Sequence, residues 1–239
     1  MIGTILVLFL LVFLLGVFAS HRPQSHTPSA KSHTPYATSH EMTTETHTVD
    51  TVYADDSFIT VDNLGKGPQY NLTYGELTEP GMREFVRYLE RRTLPRSTFI
   101  DLGSGNGRSL ALAIKHGFRH AKGVEIVDAR HAFAVRAIER LPQYSASIEL
   151  VCGDLFDLQS AFFPRNSTIF VSNLLFPPET NQRLLRFLSA RTPDDAVLIV
   201  SKLPLELYLF RIEHTLHVPM SWAGDSLCFV LRKSHSPAP

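Results

Sequence analysis

The heptapeptide Asp101-Leu102-Gly103-Ser104-Gly105-Asn106-Gly107 constrains this chain more than any other stretch. Glycines at alternate positions let a backbone turn sharply and let a ligand approach with no Cβ in the way. Ahead of the turn, Ser97-Thr98-Phe99-Ile100 is β-branched and aromatic, and after it Ser109 to Ile114 consists of helix formers, so a strand is joined to a helix. Similar signals then alternate. Strands are expected at 99–102, 122–126, 148–152, 169–172 and 197–201, with helices to about 116, at about 129–141 and at about 179–190. A terminal strand at 227–231 is expected beside one near 210–218. Upstream, Thr78 caps a helix with Pro80 in its first turn and an apolar stripe of Met82, Phe85, Val86 and Leu89. Arg83, Arg87 and Arg91 lie opposite and read as its wet face. This alternation predicts an α/β fold, a mainly parallel sheet with helices on both faces, whose ligand sits beyond the carboxyl ends of the strands.

The residues at those strand ends narrow the ligand. Asp101 and the glycine turn follow the first strand, Glu125 the second, Gly153-Asp154-Leu155-Phe156 the third and Ser172-Asn173-Leu174-Leu175-Phe176-Pro177-Pro178 the fourth. A dinucleotide site uses GxGxxG and rests a pyrophosphate on the helix N-terminus. Here the spacing is GxGxG, with Asp101 two residues ahead of Gly103, where an anionic phosphate would meet a like charge. A phosphate-free cofactor suits the set better. S-adenosylmethionine (SAM) has an amino-acid tail, a ribose, an adenine and a sulfonium cation. Gly103, Gly105 and Gly107 would admit it, Glu125 would accept from its ribose hydroxyls, and Asp154 would accept from its adenine amino group. Leu155 or Phe156 would lie against the adenine, and Asp101 would orient the turn and help hold the methionine ammonium.

Further stretches carry a family likeness. Thr73-Tyr74-Gly75-Glu76-Leu77-Thr78, DLGSGNGR at 101–108, GVE at 123–125, GDLF at 153–156, FVSNLLF at 170–176 and IVSKLP at 199–204 together resemble the non-SET histone lysine methyltransferases called disruptor of telomeric silencing, and their shorter relatives. The likeness covers about 70–204. It implies a seven-stranded Rossmann-like SAM methyltransferase fold and a lysine side chain of a protein as acceptor. It implies too that the loop bearing Tyr74 and Glu76 closes over the cofactor, that Asn173 borders both the methionine tail and the acceptor channel, and that Phe176 helps wall that channel. Methyl transfer needs no nucleophilic side chain, so Asn173, Phe176 and Tyr74 are the candidate catalytic residues. The histone enzymes carry a lysine-rich nucleosome-binding segment and a longer helical region ahead of the loop. This chain has neither, and histone specificity is not expected. A small amine or a lipid headgroup is the alternative acceptor, and an inactive interaction module of the same fold a further alternative.

Outside that domain the chain is of a different kind. Residues 1–19 carry no charged side chain and as a helix would span about 28 Å, close to the ~30 Å hydrocarbon core. A membrane anchor and a cleaved secretory signal both fit. Val17-Phe18-Ala19 before Ser20 suits cleavage, whereas the absence of Lys or Arg ahead of the run, with Arg22 and Lys31 after it, favours a single-pass anchor with the catalytic domain on the cytosolic side. In the secreted alternative, Asn71 and Asn166 head glycosylation sequons. Residues 21–50 are rich in Ser, Thr, Pro and His and are expected to form a disordered linker, leaving 51–239 as the methyltransferase domain. His26, His33, His40 and His47 recur every seven residues, but no Cys or carboxylate stands at ligand spacing, so no metal site is expected. The 23 basic and 23 acidic residues cancel, which argues against strong nucleic-acid binding. Cys152 and Cys228 are too few for a disulfide framework. The expected partners are a protein substrate and a membrane, and the chain is expected to act as a monomer.

Overall fold

The computed structural model describes residues 47–54 and 75–234. The N-terminal apolar run, the linker up to 46, Asn71 and Tyr74 lie outside the described residues. In chain order the elements are helix α1 (Val49–Val52), α2 (Glu79–Arg91), strand β1 (Thr98–Leu102), α3 (Arg108–Lys115), β2 (His120–Glu125), α4 (Asp128–Glu139), α5 (Pro142–Ser145), β3 (Ile148–Cys152), β4 (Ser167–Val171), α6 (Pro178–Arg191), β5 (Val197–Val200), β6 (Phe210–Met220) and β7 (Ala223–Lys233). Helix α1 begins before the expected domain start at 51, because Thr48 and Thr51 exchange side-chain and backbone hydrogen bonds as a capping box. Val49, Val52 and Tyr53 are buried in the domain core, so this short turn belongs to the domain rather than to the linker.

The seven strands form one sheet in the order β3-β2-β1-β4-β5-β7-β6. Neighbours from β3 through β5 are parallel, whereas β7 runs antiparallel to β5 and pairs with β6 as a long hairpin. The sheet is therefore mixed, with its parallel part central. Strands β1, β4 and β5 are buried along their whole length, as strands covered on both faces must be. Their side chains alternate between two cores. Phe99, Phe170, Val197 and Ile199 pack against α2 and α3, while Ile100, Leu102, Ile169, Val171, Leu198 and Val200 meet Leu184, Leu185 and Leu188 of α6. Burying a side chain such as Phe99 or Phe170 contributes about 2–3 kcal/mol.

The helix starts follow the sequence cues. Thr78 Oγ1 accepts from Gly81 N at 3.2 Å, and Pro80 occupies the first turn of α2. Arg83 and Arg87 are ion-paired within their own helix to Glu79 and Glu84, which fits a solvated face. Order reverses between β1 and β4, since β2 and β3 lie on one side of β1, and β4 and β5 on the other. Loops leaving β1 and β4 diverge there and open a crevice at the carboxyl end of the sheet.

No helix among the described residues is long and apolar enough to cross a membrane.

Candidate functional site

The crevice is built on the glycine turn. Gly103, Gly105 and Gly107 have φ of 98°, 55° and 82°, the left-handed region in which a side chain is strained. Gly103 N and Ser104 N donate to Val124 O at 2.9 and 3.0 Å, which fastens the turn to the end of β2. A Cβ built on Gly103 would meet nothing within 4 Å, so this residue faces open space where a ligand can lie against backbone. Gly107, as N-cap of α3, offers no side chain to that helix end. The neighbouring Gly123 has the opposite reason to be glycine: a Cβ there would sit 2.5 Å from Ser104 Oγ, so β2 and the turn touch without room for a methyl.

Glu125 organises the turn from below. It is buried, and its carboxylate accepts from Gly105 N at 2.8 Å through one oxygen and from Val127 N at 2.9 Å through the other. These bonds hold the middle of the glycine turn to the exit of β2, and each oxygen keeps a lone pair for a hydroxyl. Asp101, at the end of β1, is also buried and accepts a short hydrogen bond from Ser109 Oγ on α3. Burial, helped by the nearby Glu125 and Glu76 carboxylates, pushes its pKa up to about 7 against the opposing Ser109 bond. Glu76 stands across the crevice, 3.5 Å from an Arg108 guanidinium nitrogen.

The crevice between these groups is lined by Gly75, Glu76, Asp101, Gly103, Ser104 and Ser109, among others. Two carboxylates, Asp101 and Glu76, line this narrow space, and Glu125 lies near Asp101 behind the turn, an arrangement that favours a cation over a phosphate. Ser109 and Arg108 were not expected from the sequence to take part. Arg108 closes the DLGSGNGR stretch and Ser109 follows it, one and two residues past Gly107.

At the end of β3, Asp154 Oδ1 accepts from Phe156 N at 2.9 Å and caps a short 3-10 turn over Leu155–Asp157. The Phe156 ring meets Phe187 edge-on at 5.5 Å and carries the Arg183 guanidinium 3.8 Å above it, and Leu155 packs against the same α6-side core.

Asn173 joins two strand ends. Its side chain is fully buried, and Nδ2 donates to Asn181 Oδ1 and to Lys202 O at 2.6 and 2.9 Å. Oδ1 accepts from Ser201 N and Lys202 N at 2.9 and 3.0 Å. The amide ties the end of β4 to the end of β5. Asn181 completes the joint by donating to Phe176 O at 3.0 Å. Phe176 is half-buried against the α6-side core, and Leu174 and Leu175 beside it are exposed.

The loop carrying Glu76 rests on the β6–β7 turn. Glu76 N donates to Ser221 Oγ at 2.8 Å, Ser221 N donates to Glu76 O at 2.9 Å, and Thr78 Oγ1 donates to Pro219 O at 2.6 Å. A Cβ on Gly75 would come within 2.3 Å of the Trp222 ring, so the backbone passes flush against that indole. Tyr74 itself is outside the described residues. Among the described residues no group of His, Cys, Asp and Glu could hold a metal ion.

A family model described as Histone methylation protein DOT1 matches residues 67–215, more than half of the chain. No curated protein sequence matches it. Among solved structures, Escherichia coli yhhF, a protein assigned as a methyltransferase, aligns with a TM-score of 0.51 at 13% identity, covering 71% of this chain and 92% of that one. Magnesium protoporphyrin IX methyltransferase from Synechocystis PCC 6803, solved with bound SAM, aligns with a TM-score of 0.50 at 16% identity, over 65% of this chain and 79% of that one. The mitomycin 7-O-methyltransferase MmcR aligns with a TM-score of 0.46 at 14% identity, and the chain spans 49% of its length. At such identities the likeness to yhhF and to the Synechocystis enzyme speaks for the fold.

Proposed function

The chain belongs to the histone methylation protein DOT1 family, and from that premise we propose that this SAM-dependent methyltransferase methylates a lysine side chain of a protein other than a histone, while held at a membrane by its N-terminal apolar run. The observation that carries the cofactor reading is the trio of Asp101, Glu125 and Glu76 around a glycine turn with open space before Gly103. SAM, when bound, supplies a methyl group on a positively charged sulfur, a transferable group that asks nothing of the protein in the way of covalent chemistry.

The residues would divide the work by charge and shape. Asp101 and Glu76 face the cationic end of the ligand, and their carboxylates favour an ammonium there. Glu125 reads ribose hydroxyls with the lone pairs left over from Gly105 and Val127. Asp154 takes the adenine amino group, with Leu155 beneath the ring. Phe176 forms apolar wall at the acceptor side, where a lysine amine loses water and so loses its proton more readily than at its usual pKa of ~10.4. A neutral amine held in line with the methyl group is what the reaction requires of the acceptor, and holding it there is the chain's contribution.

Support for a lysine acceptor comes from the family, and support for a non-histone target from the balanced charge, since no basic surplus answers the phosphates of a nucleosome. Comparing protein-bound methyl-lysine by mass spectrometry in cells with and without the protein tests this. One or more lysine sites outside the histones should lose methylation. Loss confined to histones, or to small amines and lipids, contradicts the proposal.

A further inference from the structure

Beside the Asn173 joint lies a groove of about 740 Å³ between the start of α6 and the loop from β5 to β6, which shares no lining residue with the carboxylate crevice. Its walls include Arg183, Arg186, Lys202, Leu205 and Tyr208, and Glu179 is the one carboxylate among its lining residues. Arg183, Arg186 and Lys202 are all exposed. The two arginines make aromatic contacts, Arg183 over Phe156 at 3.8 Å and Arg186 over Tyr208 at 5.8 Å. These ring contacts leave the positive charges facing water.

The rim of the groove is apolar and stands outward. Leu205 is 99% exposed, and Leu174, Leu175, Tyr208 and Leu209 are also exposed. All five lie in the loops that leave β4 and β5, which are adjacent parallel strands with Val171 opposite Val200, so both loops emerge at one end of the sheet. Single exposed leucines are ordinary, but a cluster flanked by three cations is not. The loop is also held in shape. Gln182 donates to Glu206 O and accepts from Glu206 N, both at 3.2 Å, and Tyr208 keeps a left-handed φ of 51°.

We propose that this edge is a membrane-docking face: Leu174, Leu175, Leu205 and Leu209 enter the headgroup region of an anionic bilayer while Arg183, Arg186 and Lys202 meet lipid phosphates. Outward apolar tips with basic neighbours are the makeup of a segment that lies in the interface plane. The same chain carries an uncharged run at 1–19 able to enter a bilayer. The docking face adjoins the end of β4, so the acceptor side of the crevice would open toward the membrane surface. The inference takes from the proposed function only the presence of a bilayer; the methyltransferase chemistry is separate from it.

The test uses the full chain in lipid nanodiscs, with Cys152→Ser to remove the exposed thiol and Leu205→Cys carrying an environment-sensitive nitrobenzoxadiazole dye. In discs containing phosphatidylglycerol the emission should shift to the blue and be quenched by doxyl-labelled lipid. The dye at Arg119→Cys, at the opposite end of the sheet, should do neither. In discs of phosphatidylcholine alone the Leu205 signal should weaken, and the triple charge reversal R183E/R186E/K202E should abolish it, as expected when three cations together contribute about a hundredfold in affinity for an anionic surface. SAM titration and a thermal melt on the triple variant show that the domain remains folded. A Leu205 dye that stays aqueous on anionic discs overturns the proposal, as does a blue shift that survives charge reversal. A shift produced by a polyglutamate peptide and not by lipid also overturns it, and reassigns the groove to an acidic protein segment. None of these outcomes touches the SAM reading, which the titration checks on its own.

Discussion

The two sides of the crevice are built in opposite ways. On the cofactor side, Asp101, the glycine turn, Ser109, Glu125 and Val127 lie within about one βαβ unit, and each contact joins residues near in sequence. Across the crevice, Asn173 reaches Ser201 and Lys202, and Glu76 and Thr78 reach Ser221 and Pro219 across most of the domain. The first side is a local motif that any chain with those residues would tend to form. The second exists only when the whole sheet, with its antiparallel hairpin, has closed.

This difference predicts where mutations will hurt. The largest effect should come from Asn173→Ala, which strips partners from the Ser201 and Lys202 amides and from Asn181 in the buried joint. A loss of about 3–5 kcal/mol in chemical denaturation is expected, with SAM affinity in the surviving folded protein changed only a few-fold. A collapse of SAM binding at unchanged stability would show instead that the amide contacts the cofactor. Next in size is Glu125→Ala. It removes the clamp on Gly105 and the ribose acceptor together, and titration should find SAM affinity reduced about a hundredfold, from two charge-assisted hydrogen bonds at about 1.5 kcal/mol each.

Smaller effects sharpen the contrast. Gly75→Ala forces the Trp222 ring or the Glu76 loop to move, because the added methyl has 2.3 Å where it needs more than 3. Methyltransfer should fall about tenfold while the melting temperature moves little, a cost of about 1.4 kcal/mol that lies on the rate. The mildest is a pH effect. Asp101 has a folded pKa of about 7, above its ordinary 3.8, so its contribution to stability is complete below pH ~4 and is lost as pH rises through 7. The ligand-free protein should therefore unfold more easily at pH 8 than at pH 5, and Asp101→Asn should flatten that part of the profile. SAM should bind more tightly at pH 8 than at pH 6, because a cationic ligand favours the ionised carboxylate. Affinity independent of pH across that range would separate Asp101 from the ligand.

What could be read from the sequence follows the same divide. Strand and helix positions, the Thr78 cap and the acids at the ends of β1, β2 and β3 were all legible, because each rests on residue type and short-range spacing. Glu125 was legible as an acid at a strand end, but its grip on Gly105 was not, since a ligand to ribose and a clamp on a loop look identical in one dimension. Asn173 was legible as a polar residue ending β4. Its partners were not, because Lys202 and Ser201 meet it only through the β4–β5 pairing. Phe156 and Leu155 were interchangeable in sequence, and the contacts of Phe156 with Phe187 and Arg183 of α6 have no local signal. The hairpin was expected as two strands, yet nothing in their residues announced that Ser221 and Trp222 would carry the Glu76 loop.

On this account the buried Asp101 and Glu125 and the half-buried Glu76, together at one end of the sheet, select a cationic, phosphate-free donor. Calorimetric titration of the full chain in detergent with SAM, and in parallel with NAD, tests it most directly. One equivalent of SAM should bind, NAD should give no heat of binding, and Glu125→Ala should remove the SAM signal with the fold retained. Saturable binding of NAD with none of SAM would contradict the account at its root.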